Sequence, residues 1–239
     1  MIRVGMLGGM SYQSTLHYYE MINKLVNEAF GDNVTADLVI TSDNFQIIED
    51  LMNNNDWDTL SGYLIDKAQG LSYMGADVLV IATNTIHKLA DKISHNTGLP
   101  IIHIADAIAN KIMASSVRNA GLLGTKTTMT EDFISSRIKS RGILVNVPNE
   151  GKDIAKINRI IFEELCVGKT TDNSKEFLLK TIHKMEHEDH IEGVILGCTE
   201  LDMIIKQSDT HLPLFDSTTA HIEEISNTII KSHTKVLKR

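Results

Sequence analysis

The stretch Val194-Ile195-Leu196-Gly197-Cys198-Thr199-Glu200 decides how the chain is read. The apolar run Val194 to Leu196 suits a buried parallel strand, and Gly197-Cys198-Thr199 stands where the chain turns towards the next helix. A thiol and a hydroxyl are thereby placed at a strand's carboxyl end, where open α/β sheets hold their ligands. Cys198 is also small and apolar enough to serve only as filling, so its weight depends on what surrounds it.

An echo of the stretch lies earlier in the chain. Ile81-Ala82-Thr83-Asn84-Thr85 matches it at an offset of 115 residues, with Thr83 against Cys198. Val4-Gly5-Met6-Leu7-Gly8 answers Ala120-Gly121-Leu122-Leu123-Gly124 at 116, and Leu99-Pro100-Ile101 answers Leu212-Pro213-Leu214 at 113. Three matches at nearly one offset describe an internal duplication. The expected fold is α/β, with two pseudosymmetric lobes, each a parallel β-sheet flanked by helices and each offering a glycine turn and a polar strand end. Residues 1–98 with 214–239 are expected to form the Thr83 lobe, and residues 99–213 the Cys198 lobe. Lobes facing each other across a cleft would present Thr83 and Cys198 to opposite sides of one ligand. That is the arrangement needed to take a proton from one face of a carbon and return one to the other, as a racemase or epimerase does.

Between these landmarks the chain alternates strand and helix. Strands are expected at Ile2–Leu7, Ala36–Ile40, Asp77–Ala82, Pro100–Ile102, Gly121–Gly124, Ile143–Val145, Val194–Leu196 and Leu212–Phe215. The first helix carries Tyr18, Ile22, Leu25 and Ala29, a shorter one runs through Asp50–Met52, and a long one capped by Asp56 carries Leu60, Leu64, Ala68 and Leu71. Further helices are expected at Ile86–Ser94, Thr130–Lys139, Asp153–Cys166, Asn173–Glu186 and Ala220–Lys231. Gly5, Gly8 and Gly9 give G-x-x-G-G and not the dinucleotide fingerprint, so the turn before the first helix reads as an anion site.

Composition narrows the function. At 239 residues, 42% hydrophobic and 23% charged, the chain can bury an ordinary globular core. A net charge of −8, with basic residues bunched only at Lys231–Arg239, argues against a nucleic-acid partner. No apolar run approaches the ~18 residues of a membrane helix, and the N-terminus enters a strand pattern without a basic leader, so a cytoplasmic protein with no membrane partner is expected. Cys166 and Cys198 have no C-x-x-C spacing, which suggests neither a disulfide framework nor a zinc site. His183, His187 and His190 share a helix face but are ringed by Glu186, Glu188 and Asp189, which reads as a solvated helix end.

The set Leu7-Gly8-Gly9-Met10-Ser11, Thr83-Asn84-Thr85-Ile86-His87, Leu122-Leu123-Gly124-Thr125, Ile161-Phe162-Glu163-Glu164-Leu165 and Gly197-Cys198-Thr199-Glu200 resembles the aspartate/glutamate racemase family, which works without pyridoxal phosphate. The resemblance runs along essentially the whole chain. It implies a usually dimeric enzyme, no cofactor, a cleft between the lobes and two cysteines as bases. Cys198 matches the second cysteine, and Thr83 stands where the first belongs. An unassisted hydroxyl is a far poorer base than a thiol but still donates a proton, so the two directions should be unequal. By resemblance to the threonine-bearing branch, Cys198 serves the L-enantiomers of aspartate and glutamate.

Supporting roles follow on the same positions. Asn84, Thr85 and Thr199 at helix starts are candidates for the α-carboxylate, and Met10 and Ser11 for backbone and hydroxyl contacts. Thr125 and Thr128 add hydroxyls, and Lys156 is the candidate cation for the distal carboxylate. Glu200 either orients the Cys198 thiol or caps the helix, and His87 is a local helix histidine or an acid–base partner. Phe45–Glu49 lacks the arginine that some aspartate racemases carry after the second strand, which argues against strict aspartate specificity. Two other readings fit the same residues. One is a single-cysteine decarboxylase or isomerase of small diacids, like arylmalonate decarboxylase or maleate isomerase; the other is an amino-acid-binding protein without catalysis.

Overall fold

β1 (Arg3–Gly8) is the centre of a three-stranded parallel sheet ordered β2-β1-β3, with β2 at Asp37–Ser42 and β3 at Val78–Ile81. In the computed structural model, which describes residues 1–237, the chain folds as two compact units. One is Met1–His103 together with the terminal helix from His221 onward; the other is Ile104–Ala220. Alternation along the strands sets the first unit's two layers. Leu7, Leu79 and Ile81 face α3 (Trp57–Tyr73), where Leu60, Leu64, Ala68 and Leu71 keep helical spacing. Val4, Met6, Val78 and Val80 face the opposite way, against Tyr18, Ile22 and Val26 of α1 (Tyr12–Phe30) and Ile222, Ile225 and Ile229 of the terminal helix α10 (Ser217–Leu237). Each such side chain removed from water stabilises the unit by roughly 1.5–3 kcal/mol, and Leu64→Ala would cost about 2–5 kcal/mol. Asp56 caps α3, accepting from the Thr59 amide at 3.1 Å. α2 (Phe45–Asn53) buries Ile48 against the same layer.

The second unit holds a four-stranded parallel sheet ordered β5-β4-β6-β7, from Leu144–Asn146, Asn119–Gly124, Gly193–Gly197 and Leu214–Asp216. One layer packs α8 (Gly151–Arg159) and α9 (Asp172–Asp189) on Leu123, Val194 and Leu196. The other packs α5 (Ile104–Met113) and α7 (Asp132–Lys139) on Ala120, Leu122 and Ile195.

Several elements differ from expectation for physical reasons. The strand expected at Pro100–Ile102 is a single parallel bridge, Leu79 to Ile101, because the chain enters α5 two residues later. That bridge still gives the first unit the same strand order as the second. α5 was not expected, although Ile104, Ile108 and Ile112 keep helical spacing and are all fully buried. The helix expected at Ile86–Ser94 divides into a 3-10 turn, Thr85–Leu89, and α4 (Ala90–Thr97). The one expected at Asp153–Cys166 leaves α geometry at Ile160, passing through a wide turn at Ile160–Glu164 and a 3-10 turn at Leu165–Val167. The helix expected from Thr130 is preceded by a separate short one, α6 (Lys126–Thr130).

Candidate active site

Parallel sheets bind ligands beyond the strands' carboxyl ends, where neighbouring strands send their connections to opposite faces. In the first unit that point lies between β1 and β3, and in the second between β4 and β6. Thr83 lies two residues beyond β3, and Cys198 directly after β6. Each therefore stands at its own sheet's switch point.

In the first unit the switch point is framed by the turn after β1. Gly9 has φ of 86° and lies so close to the loop after β2 that a Cβ there would sit 2.2 Å from the Asp43 amide nitrogen. Only glycine fits. Ser11 caps α1, its hydroxyl accepting from the Ser14 amide at 3.3 Å, while Thr15 accepts from the Gly9 amide at 2.8 Å. The Met10 side chain is buried with Leu7 and Ile48, so what it presents at the turn is backbone. Behind Thr83 the strand end is held twice. Ser14 donates to the Ala82 carbonyl at 3.1 Å, and the His87 imidazole Nδ1 donates to the Thr83 carbonyl at 2.7 Å. Thr83 itself is half-buried, and Asn84 and Thr85 are buried at the start of the following 3-10 turn.

In the second unit Gly124 and Gly197 end β4 and β6 in contact, a Cβ on Gly124 meeting the Gly197 carbonyl at 2.9 Å. Cys198 is 7% exposed and packs with Leu196 and Leu201. Its thiol donates to Glu200 Oε2 at 3.1 Å, and the Thr199 hydroxyl donates to the same oxygen. Glu200 makes no side-chain cap on the turn that follows, so of its two expected roles the structure shows the thiol contact. Burial pushes the Cys198 thiol well above its ordinary pKa and the Glu200 carboxylate pushes it further, while the Glu200 backbone amide favours the thiolate. The sulfur therefore carries its proton, with an acceptor already in place.

The remaining expected residues are distributed unevenly. Thr125 caps α6 and bonds the Thr128 hydroxyl at 3.0 Å; Thr128 is fully buried, so its hydroxyl serves that turn. Lys156 lies on the exposed side of α8 with its ammonium 3.9 Å from the centroid of the Phe177 ring. Cys166 packs against the same cluster as Cys198. Among the described residues no group of three His, Cys, Asp or Glu side chains could hold a metal; His211 and His183 instead pair with Glu186. No helix among them is long and apolar enough to cross a membrane.

The Asp/Glu/hydantoin racemase family model matches residues 7–225, a span that takes in both strand ends. The chain belongs to this family. It is an isomerase acting on amino acids, and it resembles the broad specificity amino-acid racemase RacX of Bacillus subtilis (strain 168), 22% identical over 219 residues, or 90% of this chain and 92% of that one. Among solved structures, a protein of Yersinia pestis ascribed to the Asp/Glu racemases superposes with a TM-score of 0.89 at 38% identity, covering 96% of this chain and all of the other. An aspartate racemase homologue of Pyrococcus horikoshii OT3 gives 0.81 at 38% identity over 96% and 99%.

Sequence reasoning missed part of what holds the racemase's strand ends. Ser14, Tyr18, His103 and His221 form or back the frame around Thr83, and none carries a spacing that announces it. The one signal was His87, four residues after Thr83.

Proposed function

We propose that the chain racemises aspartate and glutamate without a cofactor, using Cys198 and Thr83 as its two proton-transfer groups. The observation that carries this is the Cys198–Glu200 pair at the end of β6, a thiol whose proton already has an acceptor. Glu200 takes that proton, and the resulting thiolate removes the α-proton of the L-amino acid. The C–H electron pair stays on the α-carbon and spreads into the α-carboxylate, which donors such as Asn84, Thr85 and Thr199 stabilise. The Thr83 hydroxyl then delivers a proton to the other face and is replenished from water, giving the D-enantiomer, while Glu200 gives its proton up to the hydroxide so formed. In reverse, a hydroxyl must act as base, so kcat is the larger for the L-substrates, with KM larger in proportion because the two enantiomers are equally stable. Lys156 supplies the cation for the distal carboxylate once it leaves the Phe177 ring, and the Ser11, Thr125 and Met10 turns supply hydroxyl and backbone contacts.

The working enzyme is a homodimer in this reading. Tyr12, Leu16 and Tyr19 lie along one face of α1 at 68%, 61% and 51% exposure, an apolar stripe suited to a second copy. Light scattering after gel filtration tests it, a monomeric mass at micromolar concentration being the contrary result.

Incubation with L-glutamate and L-aspartate in deuterium oxide tests the chemistry. Exchange of the α-proton with inversion is expected. Exchange without inversion would point to one-sided chemistry, and neither, despite ligand-induced stabilisation, to a binding protein.

A further inference from the structure

The two strand ends share a topology but are held by different devices. At Cys198 the main-chain carbonyl accepts from a backbone amide, that of Leu201, at 3.1 Å. Both ends run on into a 3-10 turn, but at Thr83 the corresponding backbone bond lies one residue later, with the His87 amide bonding the Asn84 carbonyl at 3.0 Å, and the Thr83 carbonyl takes the His87 imidazole. Asp202 occupies the place of His87 in the duplicated pattern and points into solvent, with a side chain 55% exposed.

The imidazole is itself framed. His87 is buried, and the rings of His103 and His221 meet it edge-on with centroids 4.6 and 5.5 Å away. His221 is anchored at both nitrogens, to the Tyr18 hydroxyl at 2.9 Å and the Ile102 carbonyl at 2.8 Å. A carbonyl only accepts, so His87 carries its proton on Nδ1 and His221 on Nε2. Burial and the neighbouring rings keep His87 neutral, which preserves that single donor. Ser14 fixes the Ala82 carbonyl one residue upstream, and the Ala82 amide bonds Leu7 at 3.0 Å. Thr83 is left with its side chain as its one adjustable part.

We infer that His87 is a positioning residue for Thr83, its Nδ1–H holding the strand-end carbonyl so that the Thr83 hydroxyl meets the substrate's α-carbon in one fixed direction. The chemistry explains why the hydroxyl side needs such a hold. A thiolate accepts a proton over a wide range of approach, whereas a hydroxyl donates along one O–H bond whose direction follows from the backbone and χ1. A displacement of about 1 Å costs a positioned group up to ~10²-fold in rate.

This inference rests on the proposed two-base reaction, and its test separates the two. L-glutamate is turned over in deuterium oxide, with α-deuteration of recovered L-substrate and formation of D-product measured together. Deuteration of the L-enantiomer needs Cys198 alone, whereas inversion needs Thr83 as well. His87→Phe keeps the ring's bulk and removes the donor, so inversion should fall roughly tenfold or more while deuteration of L-glutamate continues, raising the exchange-to-inversion ratio. His87→Asn keeps a donor near the Nδ1 position and should return the ratio to within about threefold of wild type. Ser14→Ala is accommodated by a helix and should raise the ratio in the same direction, which decides the matter should His87→Phe fail to fold. A ratio that stays at the wild-type value in His87→Phe and Ser14→Ala, whether both rates hold or fall together, overturns the inference. A wild-type chain that neither exchanges nor inverts overturns the proposed function instead, and is recognised before any substitution is made.

Discussion

Lowering the pH should weaken the first unit through His221 by an amount the structure sets. His221 is fully buried, and burial lowers its pKa from 6.5 to about 4 against the opposing hydrogen bond to the Ile102 carbonyl. Above pH 6.5 folded and unfolded chains both carry the neutral ring. Between 6.5 and about 4 the unfolded chain takes up a proton that the folded chain refuses, so stability falls as pH falls. At about 1.4 kcal/mol per unit the full loss is about 3.5 kcal/mol below pH 4, of which about 2 kcal/mol is gone by pH 5. Urea titrations followed by Trp57 fluorescence measure it, since the chain's single tryptophan begins α3 and packs against the first unit's core. The comparison is wild type against His221→Gln at pH 8 and pH 5. At pH 8 the variant should be less stable by about 1–3 kcal/mol, having lost bonds to Tyr18 and Ile102. At pH 5 the gap should narrow by about 2 kcal/mol, because only the wild type still holds a ring that resists protonation. A gap of the same size at both pH values would refute the reasoning.

Cys198→Ala should lower both α-proton exchange and inversion by ~10² or more while leaving the melting temperature within a few degrees; full activity in this variant would sink the mechanism. Thr83→Cys should raise turnover of the D-enantiomers relative to the L, and an unchanged ratio would count against the assigned direction. In a Cys166→Ser background, Glu200→Gln should move the inflection of iodoacetamide labelling at Cys198 to lower pH, because a carboxylate that opposes ionisation is gone. Racemisation should slow in the same protein, since the thiol proton has lost its acceptor; an inflection that rises contradicts the pairing. Gly9→Ala places a Cβ 2.2 Å from the Asp43 nitrogen at a φ of 86°, and should cost more than about 2 kcal/mol in the urea titration, with an unmoved midpoint as the contrary result.

Strands buried on both faces were legible because they must be continuous apolar runs, and β1, β3, β4 and β6 lie within two residues of the expected Ile2–Leu7, Asp77–Ala82, Gly121–Gly124 and Val194–Leu196. The duplication was legible for the same reason, since glycine ends β1 and β4 wherever strand ends must approach closely. α5 is hard to read because Ala105, Ala107 and Ala109 put small apolar residues on other faces of an otherwise regular isoleucine spacing. The wide turn at Ile160–Glu164 was not legible at all: its sequence is ordinary for a helix, and nothing in it marks the extra residue per turn. At the candidate site, Cys198, Thr83 and Glu200 announced themselves by type and place. The histidine frame did not, because His87, His103 and His221 come from three segments that meet only in the folded unit.

The duplication makes the difference between the strand ends informative. Two units with one strand order began from equivalent positions, yet one end carries a thiol bonded to a carboxylate, and the other a hydroxyl whose carbonyl is held by an imidazole. Each device meets the weakness of the group it serves. A buried thiol resists ionisation, and Glu200 offers its proton somewhere to go; a hydroxyl ionises hardly at all near neutrality, and what can be improved is the direction in which it donates. A carboxylate that receives the proton of one group and an imidazole that orients the other make the two halves unequal by construction. Replacing Thr83 by cysteine without altering His87 supplies a thiol followed by Thr85 where Cys198 is followed by Glu200, so kcat in the D-direction should rise yet stay below that in the L-direction. Equal kcat values in the two directions, both at saturating substrate, would show that the carboxylate at Cys198 contributes nothing a bare thiol lacks.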